Sequence, residues 1–69
     1  MLLFRWVKAW WLRRQRQIDL EFFWPLLVAS SPDIETARAA FLEHVTYDLA
    51  WTERYRYGEL IKFVDALEP

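Results

Sequence analysis

The sequence predicts an all-α fold: an antiparallel hairpin of two long helices plus a short C-terminal helix, assembled as a dimeric helical bundle. Three observations predict it. Two segments of nearly equal length carry apolar residues at alternating steps of three and four and are rich in helix formers. Between them stands a turn signal, Ala29-Ser30-Ser31-Pro32-Asp33. Near the far end Gly58 follows Arg54 and Arg56, the usual composition of a helix C-terminus, because glycine takes the left-handed cap and cations favour the negative helix end.

The first helix is expected over residues 2–29. Its main seam is Phe4, Val7, Trp11, Arg14, Ile18, Glu21, Pro25 and Val28, and a second stripe of Leu2, Trp6, Trp10, Arg13, Gln17, Leu20, Trp24 and Leu27 runs beside it. Its ends are therefore apolar on more than one face while its middle is polar, so the ends should bury against more than one neighbour. Pro25 lacks an amide proton and its ring clashes with the Glu21 carbonyl, which predicts a kink or a helix restart between those residues.

The turn is expected over 29–32. Ser31 suits the N-cap, Pro32 the first helical position and Asp33 the positive helix end, so the second helix is drawn over residues 32–57. Its stripe is Ile34, Ala37, Phe41, Val45, Asp48, Thr52 and Tyr55, widened by Leu42, His44, Leu49 and Trp51. A break at Tyr57-Gly58 then leaves a short helix over 59–67 with Leu60, Ile61, Phe63, Val64 and Leu67. Folding the chain back at Ser31 sets residue i near residue 62 − i. That register places Arg14 opposite Asp48, the two charges that interrupt the seams, and predicts an ion pair between them.

Composition narrows the function classes. The 69 residues make one domain, and a domain of this size buries only about 60% of its unfolded surface, so it needs additional stabilisation. There is no cysteine, hence no disulfide, thiolate zinc site or thiol nucleophile, which fits a reducing, cytoplasmic setting. One histidine and one glycine disfavour most metal centres, catalytic triads and glycine-rich phosphate loops, so no metal, cofactor or enzymatic activity is expected. The 55% hydrophobic content, with five Trp and five Phe, exceeds what so small an interior can hold. Oligomerisation or a partner should cover the surplus.

Charge is polarised along the chain. Residues 1–18 carry Arg5, Lys8, Arg13, Arg14 and Arg16 with no acid, whereas residues 19–50 carry six acids against Arg38 alone. The apolar blocks 1–12 and 20–29 are too short to span a bilayer. A signal-peptide reading fails on Asp19, Glu21 and Pro25, which abut or interrupt its apolar region.

Candidate interaction residues concentrate in the first helix. Trp6, Trp10, Trp11 and Arg13 interleave large aromatics with cations, a mixture suited to a protein interface, an anionic membrane surface or single-stranded nucleic acid. The acidity of the remaining chain disfavours nucleic acid. Trp24 joins this partner-binding set, as do Tyr47, Trp51 and Tyr55, whose i, i+4 steps predict an aromatic ridge along the second helix. His44 and Asp48 share one helix face, where a structural polar pair outweighs a catalytic or metal role because no second ligand is implied nearby. The expectation is a non-enzymatic protein-protein interaction module of accessory, adaptor or inhibitor type. It would self-associate or dock on a larger protein, the alternative being a peripheral membrane protein that uses the basic, Trp-rich first helix.

Overall fold

The structure, a computed structural model, describes residues 2–69, with side chains from Phe4 onward. All regular structure among these residues is helical: α1 (Leu2–Ile18), a π-helical turn (Asp19–Phe23), α2 (Trp24–Ser30), α3 (Ile34–Thr46), α4 (Leu49–Thr52) and α5 (Tyr57–Asp65). The side chain of Leu2, which begins the second stripe of the first helix, lies outside the described residues.

Backbone angles stay helical through both junctions of the π turn, so residues 2–30 form one helical run with a single widened turn. The widening has a local cause. Pro25 offers no amide to Glu21 and its ring crowds that carbonyl. A turn closed by the Trp24 amide donating to the Asp19 carbonyl, one residue further back than in an α-helix, relieves the crowding immediately before the proline.

The second helix starts two residues later than Ser31 and Pro32 suggested. Asp33 is the N-cap, and its carboxylate accepts the Thr36 amide at 2.7 Å. That bond holds the Asp33 carboxyl below its ordinary value. Ser31 and Pro32 belong to the turn.

The long helix expected over 32–57 is two shorter ones, α3 and α4, and the short helix expected over 59–67 is α5, Tyr57–Asp65. α3 ends at Thr46, and Asp48 adopts an extended conformation in which its Oδ1 accepts the Ala50 amide at 2.8 Å, capping the single turn of α4. This is the ordinary competition of an Asp side chain with the helical backbone. A second break covers residues 53–56, after which the Arg56 amide donates to Glu59 Oε1 at 3.0 Å at the start of α5. Gly58 therefore lies inside the first turn of α5 with no positive φ, not at a helix C-terminus.

The core is Trp24, Ala37, Phe41, Val45, Ala50, Trp51, Leu60 and Val64. Phe41 is its centre, with the Trp24 ring edge-on at 5.5 Å and the Trp51 ring edge-on at 5.8 Å. Two bonds close the C-terminal segment over it: Trp24 Nε1 donates to the Glu68 carbonyl at 2.9 Å, and the Arg38 guanidinium donates twice to the Leu67 carbonyl.

Contacts between the two halves of the chain step in opposite directions, from Trp24 against Phe41 to Asp19 against His44, Arg16 against Ala50 and Lys8 against Glu53. They do not keep one register. The 62 − i relation sets Trp24 beside Arg38 and Arg16 beside Thr46, whereas Trp24 meets Phe41 and Arg16 reaches Ala50; Asp19 with His44 and Lys8 with Glu53 fall within one residue of it. The molecule measures 46 × 23 × 17 Å with a radius of gyration of 13.1 Å, against roughly 11 Å for a compact chain of this length.

Candidate functional site

At 3.6 residues per turn, Lys8, Leu12 and Arg16 share one side of α1, while Val7, Trp10 and Trp11 share the adjoining outward side, with Phe4 and Lys8 at the edge between the two. The first set faces the body. Leu12 packs on the core edge, Arg16 Nη1 donates to the Ala50 carbonyl at 2.7 Å, and Lys8 Nζ pairs with Glu53 Oε1 at 3.0 Å. The helix thus turns a largely cationic side inward and its aromatic side outward. Phe4 is 76% exposed, Trp6 70% and Trp11 55%, with Val7 and Trp10 also open to solvent. A shallow groove of about 450 Å³ runs between Phe4, Val7, Lys8, Trp10 and Trp11, and a smaller hollow beside it is lined by Trp6, Trp10, Arg13 and Arg16.

Four of the expected partner-binding residues, Trp6, Trp10, Trp11 and Arg13, therefore lie together on exposed α1. The others need correction. Trp24 and Trp51 are buried core residues and present no surface. Of the expected ridge only the Trp51–Tyr55 contact forms, at 6.0 Å: the break after Thr46 takes Tyr47 out of helical spacing and leaves it exposed, while Tyr55 is half-buried against Trp51 and Phe63.

A second constellation lies where the π turn, α3 and the cap of α4 meet. Asp19 is the buried charged residue of the described structure. Its Oδ2 accepts the Trp51 indole Nε1–H at 2.7 Å and stands 3.2 Å from His44 Nε2, and Asp48 Oδ2 lies 3.5 Å from the same ring nitrogen. One donor atom each from Asp19, His44 and Asp48 falls within 4.8 Å of the others. This replaces the expected Arg14–Asp48 ion pair. Arg14 is exposed, and Asp48 is engaged by His44 and the Ala50 amide.

Sequence reasoning saw the His44–Asp48 half of this cluster and missed Asp19. A regular helix through Ile18 puts Ile18, not Asp19, toward His44, and only the extra residue of the π turn carries the Asp19 carboxylate inward. An acid directly beside the apolar block 20–29 was the one signal of it in the sequence.

No described helix is long and apolar enough to cross a membrane. Comparison of the chain with protein-family models, curated protein sequences and solved structures finds no match.

Proposed function

We propose that the chain is a non-enzymatic interaction module that docks on another protein through the outward face of α1. The observation that supports this reading is the exposure of Phe4, Trp6, Val7, Trp10 and Trp11 side by side on a helix whose other side is already engaged by the body. Aromatics of this size offer about 150–250 Å² each, so at these exposures the patch comes to roughly 400–600 Å², as large as the largest patch on an ordinary monomer. A partner that covers it buries about 1,000 Å² in total, the low end of a specific interface. Trp and Arg, the types that dominate binding hot spots, occur in the patch and along its edge at Arg13 and Arg14.

Charge directs the choice of partner. Five cations and no acid on residues 1–18 set two copies of α1 against each other unfavourably, so the fitting surface is an apolar groove with an acidic rim. In a homodimer that rim is the partner's acid-rich 19–50 segment rather than its α1. A dimeric bundle of two hairpins and a cytoplasmic location go with this reading. The test is affinity capture of the full chain from its host beside Trp11→Ala and Trp6→Ala, with sedimentation equilibrium on all three proteins. A stoichiometric partner or dimer lost in both variants at unchanged helicity is the expected result. Equal capture and mass in all three would overturn it.

Arg13 and Arg14 beside exposed Trp6, Trp10 and Trp11 also suit an anionic membrane surface, where indoles sit at the headgroup boundary and cations meet the lipid phosphate. Co-sedimentation with vesicles that rises with anionic lipid content and falls in Trp11→Ala would favour this second reading over the first.

A further inference from the structure

The Asp19, His44 and Asp48 cluster is independent of the α1 surface, and its chemistry is distinct. Asp19 and Asp48 both point at one imidazole nitrogen, so two carboxylates converge on a partly buried spot. The Trp51 indole N–H offsets part of their charge, and the neighbouring Arg16 guanidinium is turned to the Ala50 carbonyl instead.

The donor separations leave room for a cation between them. Metal–ligand bonds near 2.0–2.2 Å at tetrahedral angles separate adjacent donors by about 3.3–3.5 Å. His44 Nε2 stands 3.2 Å from Asp19 Oδ2 and 3.5 Å from Asp48 Oδ2, two edges of such a polyhedron, and the two carboxylate oxygens, within 4.8 Å of each other, draw together on binding to form the third. The outer contacts agree. Trp51 Nε1 donates to Asp19 Oδ2 and the Ala50 amide to Asp48 Oδ1, which orients both carboxylates as the surroundings of a metal site do. The side chain of Asp19 is 13% exposed while those of His44 and Asp48 are 33% and 31% exposed, so the site is closed behind and open in front, where water completes the coordination.

We propose that Asp19, His44 and Asp48 bind a single divalent transition-metal ion of the zinc class, through one carboxylate oxygen from each Asp and His44 Nε2. One imidazole with two carboxylates is a nitrogen-oxygen donor set that suits zinc and cobalt better than magnesium, which prefers an all-oxygen octahedron. Ligation at Nε2 moves the ring proton to Nδ1. The three ligands come from the π turn, α3 and the α4 cap, so the ion joins three short elements of a cysteine-free domain that has no other covalent or coordinate staple among its described residues.

The test is unusually clean because the chain has one histidine and no cysteine. Zinc sulfate and, separately, magnesium sulfate are titrated into the EDTA-stripped full chain, followed by calorimetry and by thermal unfolding in the far-ultraviolet. Zinc should bind at one equivalent. At about 100 times its dissociation constant it should raise the midpoint by roughly 10–20 °C for a domain of this size, while magnesium leaves it unmoved. His44→Gln should abolish zinc binding and Asp48→Asn should weaken it at least about tenfold. NMR on the wild-type chain avoids any folding defect in the variants: the single imidazole resonance set should shift saturably with zinc. An unmoved imidazole, or zinc bound as tightly by His44→Gln as by the wild type, would overturn the proposal.

Discussion

Replacing Asp19 by Ala tests the polar cluster as a structural element, with metal kept out by EDTA. The Asp19 carboxylate is the acceptor for the Trp51 indole N–H at 2.7 Å, and Trp51 is 1% exposed, so the indole has no solvent partner in the native packing. The substitution removes a hydrogen bond to a charged acceptor, worth about 1.5–3 kcal/mol, and strands a buried donor at a cost of about 1–3 kcal/mol. Relief of the charge convergence between Asp19 and Asp48 offsets part of this. The net expectation is a loss of about 2–4 kcal/mol, roughly 10–25 °C in the midpoint for a domain of this size. Urea unfolding monitored by far-ultraviolet dichroism measures it. Asp19→Asn, which keeps an acceptor for the indole, should lose less than half as much. The paired comparison uses Trp51→Phe, which removes the donor: in that background Asp19→Ala should cost markedly less than in the wild type. A loss under about 0.5 kcal/mol for Asp19→Ala, or the same loss with and without the indole N–H, would refute the reasoning.

Three further outcomes rest on the placement of individual residues. Trp24→Ala should destabilise by about 3–5 kcal/mol, because its ring is buried against Phe41 and its indole holds the Glu68 carbonyl, and the urea midpoint checks it. Arg14→Ala should change stability by no more than about 0.5 kcal/mol in the same assay, since Arg14 is exposed and has no part in the Asp48 contacts. For Asp33, whose carboxyl is lowered by the Thr36 amide bond, the contribution is fully present above the ordinary carboxylate value of 3.8 and is lost as pH falls through the lowered native value. Acid titration of stability should therefore show a steeper loss for the wild type than for Asp33→Asn, whose amide oxygen still caps the helix.

The helical class was legible because it rests on period. Ala37, Phe41 and Val45 recur at four-residue steps, and all three are buried in α3 as a core stripe requires. The boundaries were not legible to the same degree because several residues near each end can cap. Ser31-Pro32 and Asp33 both read as helix starts, and the choice fell to the residue with Thr36 three positions ahead, where the side chain meets an open amide. Asp48 misled for a related reason. Read as a charge within a continuous stripe it demanded a cationic partner, and Arg14 supplied one at the expected register. Read as a cap, which Asp favours, it ends one helix and starts the next, and its charge is met by the Ala50 amide and His44.

The cluster around His44 shows how a backbone feature decides which residues form a site. Pro25 forbids a regular helical bond to Glu21, and the chain answers with a π turn over Asp19–Phe23. One extra residue in a helical run rotates the residues on its N-terminal side by about 100° relative to those on its C-terminal side. Trp24 can then enter the core beside Phe41 while Asp19 turns inward to Trp51 and His44. The same rotation bears on α1. Its cationic side, Lys8 and Arg16, comes to lie on α4, and its aromatic side is left facing outward. Without the widened turn the direction of the α1 aromatic face and the position of the Asp19 carboxylate would both change. The outward aromatic face of α1 and the polar cluster are thus set by one proline and the helix defect that precedes it. Each can nevertheless be tested alone, because Trp6 and Trp11 take no part in the Asp19 contacts and His44 lies outside the α1 groove.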